Sequence, residues 1–163
     1  MNLSSTARAR IALAMTFVVA LLLTIMPGPA WAEAFRPDWV GMVLIYWVMA
    51  APQRVGVGTG WVLGFVLDVL QGAVLGSNAL AKALIAFLTL KLHLKLRMFP
   101  RWQQAVAVLV LLLLNQLLVL WIRGFVGRAP ETWVYWTPSI VGMLVWPWLF
   151  VVLRDLRRRH QIA

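Results

Sequence analysis

The stretch VGVGTGWVLGFVLDVLQGAVLG, residues 55–76, carries glycine at 56, 60, 64, 72 and 76 and one carboxylate, Asp68, at the remaining step of the same four-residue series. On an α-helix, residues four apart lie nearly above one another, drifting by ~40° per step. The six positions therefore form one stripe of a helix. Small residues at this spacing let two backbones approach closely, which drives helix association where the hydrophobic effect is absent. Such a groove packs a helix of the same chain, or it receives another protein or a ligand. Asp68 shares the stripe, so it faces protein rather than lipid.

The rest of the chain explains why lipid is the right comparison. Of 163 residues, 63% are hydrophobic and only 12% are charged, with ten tryptophans and a mean hydropathy of +0.85. Average proteins are about 45–50% apolar and about 25% charged, and a soluble domain of this size cannot bury the surplus. The fold class expected is an all-α integral membrane protein with one polytopic domain over residues 1–163 and no soluble second domain. The absence of cysteine excludes disulfides, thiolate metal sites and a cysteine nucleophile. The net charge of +10 would suggest nucleic acid in a soluble protein. In a membrane protein it poses a question of topology, and no nucleic-acid partner is expected.

Six apolar segments lie between breaks, at about 11–26, 39–51, 55–75, 79–90, 102–122 and 133–153, followed by a tail at 154–163. Pro138 and Pro147 are expected to bend the last. The second and fourth are short against the ~20 residues a span needs. Charge placement nevertheless favours a six-transmembrane-helix bundle. With six crossings and a cytoplasmic N-terminus, Arg8, Arg10, Arg54, Lys91, Lys95, Arg97, Arg101, Arg154, Arg157, Arg158 and Arg159 fall inside, eleven of the fifteen cations. Arg36, Arg123 and Arg128 fall outside, and Lys82 lies near a span. The positive-inside rule then puts both termini in the cytoplasm. Residues 1–34 also imitate a signal peptide, with AWA before Glu33. A retained first helix is the preferred reading.

Trp31, Trp39, Trp102, Trp121, Trp133 and Trp136 cluster near the proposed boundaries, as an interfacial aromatic belt requires. Trp47, Trp61, Trp146 and Trp148 lie deeper and are expected to pack between helices. The basic tail and inner loop should attract anionic membrane lipid, at ~1 kcal/mol per cation near the surface.

An ionised Asp68 near the bilayer centre would cost ~2.5–3.5 kcal/mol even on the mild insertion scale, so it needs a partner or a proton. With the turn near Gly76–Ser77, Asp68 and Lys82 reach matching depths within ~3 Å at helical rise. An intramembrane Asp68–Lys82 ion pair is therefore expected; a protonated Asp68, or one bonded to Asn115 or Gln116, is the alternative. GVGTG lacks the spacing and the lysine of a nucleotide loop. His93 and His160 stand alone, so neither a metal site nor a cofactor site is expected. Glu33, Asp38, Glu131 and Asp155 sit at segment ends, where solvation accounts for them. No paired carboxylates or hydrolase motif supports a catalytic site.

FRPDWVGMVLIYW at 35–47, PQRVGVGTGWVLGFVLDVLQGAVLG at 52–76, RMFPRWQQA at 97–105 and VWPW at 145–148 occur in order. On these blocks the chain resembles the rod shape-determining protein MreD family of Gram-negative bacteria. The resemblance implies an inner-membrane component of the cell-elongation machinery that binds MreC. It implies indirect links to MreB, RodA and a class B penicillin-binding protein, and it leaves a homo-oligomer open. It also implies a bundle similar to the substrate-binding membrane subunits of energy-coupling factor transporters. A solute-binding transporter subunit is therefore the alternative function. The family supplies no catalytic residues; Gly56, Gly60, Gly64 and Asp68 match its glycine-and-aspartate signature.

Overall fold

A computed structural model describes residues 4–33, 35–72, 75–127 and 133–160, and every regular element among them is helical. The elements in order are α1 (Ser5–Ile25), the short α2 (Ala30–Glu33), α3 (Trp39–Ala50), α4 (Val57–Gln71), α5 (Ser77–Met98), α6 (Arg101–Phe125), a 3-10 turn (Trp133–Trp136) and α7 (Thr137–Arg159). Three of them, α1, α6 and α7, are long and apolar enough to cross a membrane. Arg128, Glu131 and the Trp133 side chain lie outside the described residues.

The core is α3. Eleven of its twelve residues, Val40 to Ala50, are buried. A helix apolar on every side must be enclosed by other helices, and α1, α5, α6 and α7 all pack against this one. At 1.5 Å per residue, α3 is only ~18 Å long. Its N-terminus is capped by Asp38, whose Oδ1 accepts from Gly41 N at 3.0 Å. Polar side chains gather at both of its ends, Asp38, Lys82 and Asn115 at one and Arg97, Gln104 and Arg157 at the other.

The outer surface is the reverse of a soluble protein's. Met15, Leu22, Val62, Val69, Val110 and Leu144 are exposed, a distribution that suits hydrocarbon rather than water. The first helix is tied into the bundle by more than apolar contact. Ala9, Phe17 and Ala20 are buried, the Trp47 indole donates to Thr16 Oγ1 at 2.9 Å, and Arg36 donates to the Thr24 carbonyl at 2.8 Å.

Several boundaries differ from the sequence reading for identifiable reasons. The fourth segment, read to about Leu90, continues as α5 to Met98, because KLHLKLRM keeps helix-forming residues after the apolar stretch ends. Pro138 lies in the first turn of α7, where its missing N–H is not needed, so only Pro147 sits inside that helix. Among the deeper tryptophans, Trp47 and Trp146 are fully buried, but Trp61 (51% exposed) and Trp148 (64% exposed) face outward. Trp61 stacks on Phe65 one helical turn away, with ring centroids 5.5 Å apart. Trp31, Trp102 and Trp121 are exposed, as a belt position requires.

Candidate functional site

The glycine stripe divides into positions with different physical duties. A Cβ on Gly60 would stand 2.7 Å from the Lys82 carbonyl oxygen, and one on Gly64 would overlap the Asn78 carbonyl. These two glycines let α4 and α5 touch backbone to backbone, so their face is occupied by a helix of the same chain. Gly56 has open space around it, and it precedes α4 as the N-cap. Gly72 (φ 62°) and Gly76 (φ 96°) are not helix-packing residues. They hold the left-handed backbone of the turn between α4 and α5, a conformation that glycine adopts without a Cβ penalty.

Asp68 is fully buried, and its partners explain its place. Oδ2 accepts from Gly76 N at 2.9 Å and Ala79 N at 3.3 Å. Oδ1 accepts from Ser77 Oγ, Asn78 N and Asn78 Nδ2, each at 3.0 Å. The first N–H groups of a helix have no partner within it, and Gly76, the N-cap of α5, has no side chain to supply one. Asp68 reaches across from α4 to take that role. Its negative charge also sits at the positive end of the α5 dipole. Neither Asn115 nor Gln116 is its partner.

The expected Asp68–Lys82 ion pair is therefore corrected. Lys82 Nζ lies 2.7 Å from Asp38 Oδ2 and donates to Asn115 Oδ1 at 2.9 Å. Lys82 is 1% exposed, while the Asp38 side chain is 21% exposed. Asp38, read from sequence as a solvated segment end, is thus both the cap of α3 and the counter-ion of α5. Helical rise gives Lys82 a depth close to that of Asp68, but both Asp68 oxygens are already taken by the α5 terminus. The N-cap glycine at 76, which leaves that terminus without a side-chain acceptor of its own, was the available signal.

Next to this ion pair Gln116 forms a second knot. Its amide donates to the Tyr135 carbonyl at 2.7 Å, the Tyr135 hydroxyl donates to the Gln116 carbonyl at 2.8 Å, and Ser139 Oγ donates to Gln116 Oε1. Asp38, Lys82, Asn115, Gln116 and Tyr135 border a cavity of about 300 Å³, with Arg36, Gln71, Asn78 and Arg123 also on its wall. Most of the polar atoms around it already bond one another.

No group of three or more histidine, cysteine or acidic side chains able to hold a metal is present among the described residues. His93 Nδ1 is 2.6 Å from the Leu90 carbonyl within its own helix. The arrangement ties helices together: α3, α5 and α6 through Asp38, Lys82 and Asn115, and α4 to α5 through Asp68.

The family model described as rod shape-determining protein MreD matches residues 6–156. The chain belongs to the rod shape-determining protein MreD family. The match runs from α1 into α7 and includes both polar knots and the Asp68 cap. The chain is also similar to "Rod shape-determining protein MreD" of Haemophilus influenzae (strain ATCC 51907 / DSM 11121 / KW20 / Rd), with 31% identity over 146 residues, 90% of each chain. No solved structure matches. Membership gives the chain a rod shape-determining role, in a family not known for enzymatic activity, and the long apolar helices make it a membrane protein.

Proposed function

We propose that this chain is a non-enzymatic scaffold of the cell-elongation machinery in the bacterial inner membrane. It binds MreC and helps to organise lateral peptidoglycan synthesis, with indirect links to MreB, RodA and a class B penicillin-binding protein. The observation that carries this reading is a family match over nearly the whole chain, on a bundle whose buried polar groups are engaged in holding helices together. In this reading the chain crosses the membrane six times with both termini cytoplasmic and α1 retained.

The short α3 is compatible with six crossings. A bare apolar helix of ~18 Å would not match a hydrocarbon core of ~30 Å. Enclosed by neighbours, and with polar cavities beyond its ends, α3 need not reach either lipid surface itself. Irregular backbone at membrane depth is tolerated where it is buried in protein or borders a polar cavity.

The test is depletion of the chain in its own cells. The scaffold reading expects rounded cells with normal vitamin uptake. Normal rods, with a growth defect cured by one nutrient, would instead support a solute-binding transporter subunit. The cavity of about 300 Å³ is the observation in favour of that alternative, since Gln71, Asn78 and Asn115 do meet there. It lies at the lower end of ligand-pocket volumes, roughly 300–1,000 Å³. Trp61 does not join them; it faces outward on α4.

A further inference from the structure

The opposite end of α3 carries a second polar cavity, of about 160 Å³, between Tyr46, Arg97, Gln104, Phe150 and Arg157. Its charge is one-sided. Arg101 and Arg154 bring their guanidinium carbons to 5.4 and 5.9 Å from the Phe150 ring centroid. Arg97 reaches the Ala50 carbonyl, the last residue of α3, through a long 3.4 Å contact. The Lys82–Asp38 ion pair lies near the other end of α3. Four guanidinium groups thus converge on one aromatic cluster, and among the described residues no carboxylate is bonded to any of them. Like charges brought together in this way favour an anion between them.

A second observation gives that anion a shape. Gln104 is 4% exposed; its Nε2 donates to the Leu96 carbonyl at 2.8 Å, which fixes the amide orientation. Its Oε1 is then a buried acceptor without a partner. A buried acceptor of this kind calls for a hydroxyl or N–H from a ligand. The cavity holds about five water volumes at ~30 Å³ each, enough for a phosphate with a small polyol and too little for a nucleotide.

We propose that this cavity binds the headgroup of an anionic phospholipid whose phosphodiester carries a hydroxylated substituent, as in phosphatidylglycerol. The phosphate sits against Arg97 and Arg157, and a headgroup hydroxyl donates to Gln104 Oε1. The inference goes beyond the scaffold reading and does not depend on it. The topology proposed above decides only that the lipid comes from the inner leaflet.

The test is lipid titration of the full chain in mild detergent, followed by native mass spectrometry. The probes are dioleoyl phosphatidylglycerol, phosphatidic acid and phosphatidylethanolamine, with inorganic phosphate as the free-anion control. The expected order is phosphatidylglycerol, then phosphatidic acid, with phosphatidylethanolamine and inorganic phosphate far weaker. The double variant Arg97→Gln, Arg157→Gln should weaken phosphatidylglycerol binding about thirtyfold, the effect of two cations near a lipid surface. Gln104→Leu should lower phosphatidylglycerol to the level of phosphatidic acid and leave phosphatidic acid unchanged. Arg159→Gln, in the same basic tail but exposed, should weaken both by no more than about fivefold, the effect of one surface cation, and leave their order unchanged. Equal binding of phosphatidylglycerol and phosphatidylethanolamine by the unaltered chain overturns the proposal without recourse to any variant. So does inorganic phosphate binding as tightly as the lipid, or a folded double variant that keeps its phosphatidylglycerol. None of these outcomes bears on MreC binding, which is measured separately.

Discussion

Lys82→Met leaves a side chain of similar length but removes the ammonium that faces Asp38 at 2.7 Å and Asn115 at 2.9 Å. Removing one partner of a buried ion pair costs roughly 3–5 kcal/mol, because the other charge is left uncompensated. Asp38 retains 21% exposure, so the lower end applies, about 3 kcal/mol. Asp38→Asn keeps a good cap for α3, since asparagine serves at the N-cap as well as aspartate. It strands the Lys82 ammonium, however, and should cost a similar amount. Because the two substitutions break one interaction, the double variant should cost little more than either alone. The coupling between them should then be about 2–3 kcal/mol. Asp68→Asn makes the contrast. It turns one acceptor into a donor facing N–H or O–H groups of the α5 terminus, for about 2–3 kcal/mol. Asp68 and Lys82 share no hydrogen-bond partner, so Asp68→Asn and Lys82→Met should add within about 0.5 kcal/mol. Unfolding of all six proteins, the parent included, in detergent by a denaturing-surfactant titration reads both cycles. Strong coupling of Lys82 to Asp68, with none to Asp38, would refute the assignment.

Gly64→Ala and Gly60→Ala should each destabilise the bundle by about 1–3 kcal/mol, as overpacking against backbone does. Gly56→Ala, with open space around it, should leave the unfolding midpoint nearly unchanged, which the same titration checks. Thr16→Val strands the buried Trp47 indole N–H and should cost about 1–2 kcal/mol, visible as a lowered midpoint. If α1 is retained, the intact mass of the purified chain matches 18.4 kDa. A mass lower by residues 1–32 would show that α1 is removed as a signal peptide.

The all-helical architecture was legible because composition and four-residue spacing report directly on lipid exposure and helix faces. The close approach of α4 to α5 was legible for the same reason at Gly60 and Gly64. Gly72 and Gly76 continue the spacing but serve a turn, and spacing alone does not distinguish a packed glycine from one with positive φ. The two acids were misread through local context. Asp38 follows Pro37 at the start of a segment and looks solvated, yet the fold brings Lys82, 44 residues later in the chain, onto it. Asp68 looks like a charge in search of a cation, whereas its need is met by the N–H groups of the next helix. Arg97, Arg101, Arg154 and Arg157 read as an inner-surface charge run. Their convergence around Phe150 comes from three separate helices and is a tertiary fact.

Affinity isolation of the tagged full chain from its own membranes, followed by quantification of MreC, tests the scaffold claim most directly. MreC should be recovered with the unaltered chain in comparable amount. It should be lost with the Lys82→Met, Asp68→Asn double variant, whose helix ties are broken at both sites. Recovery of the folded, unaltered chain without MreC, from membranes that contain MreC, would contradict the account.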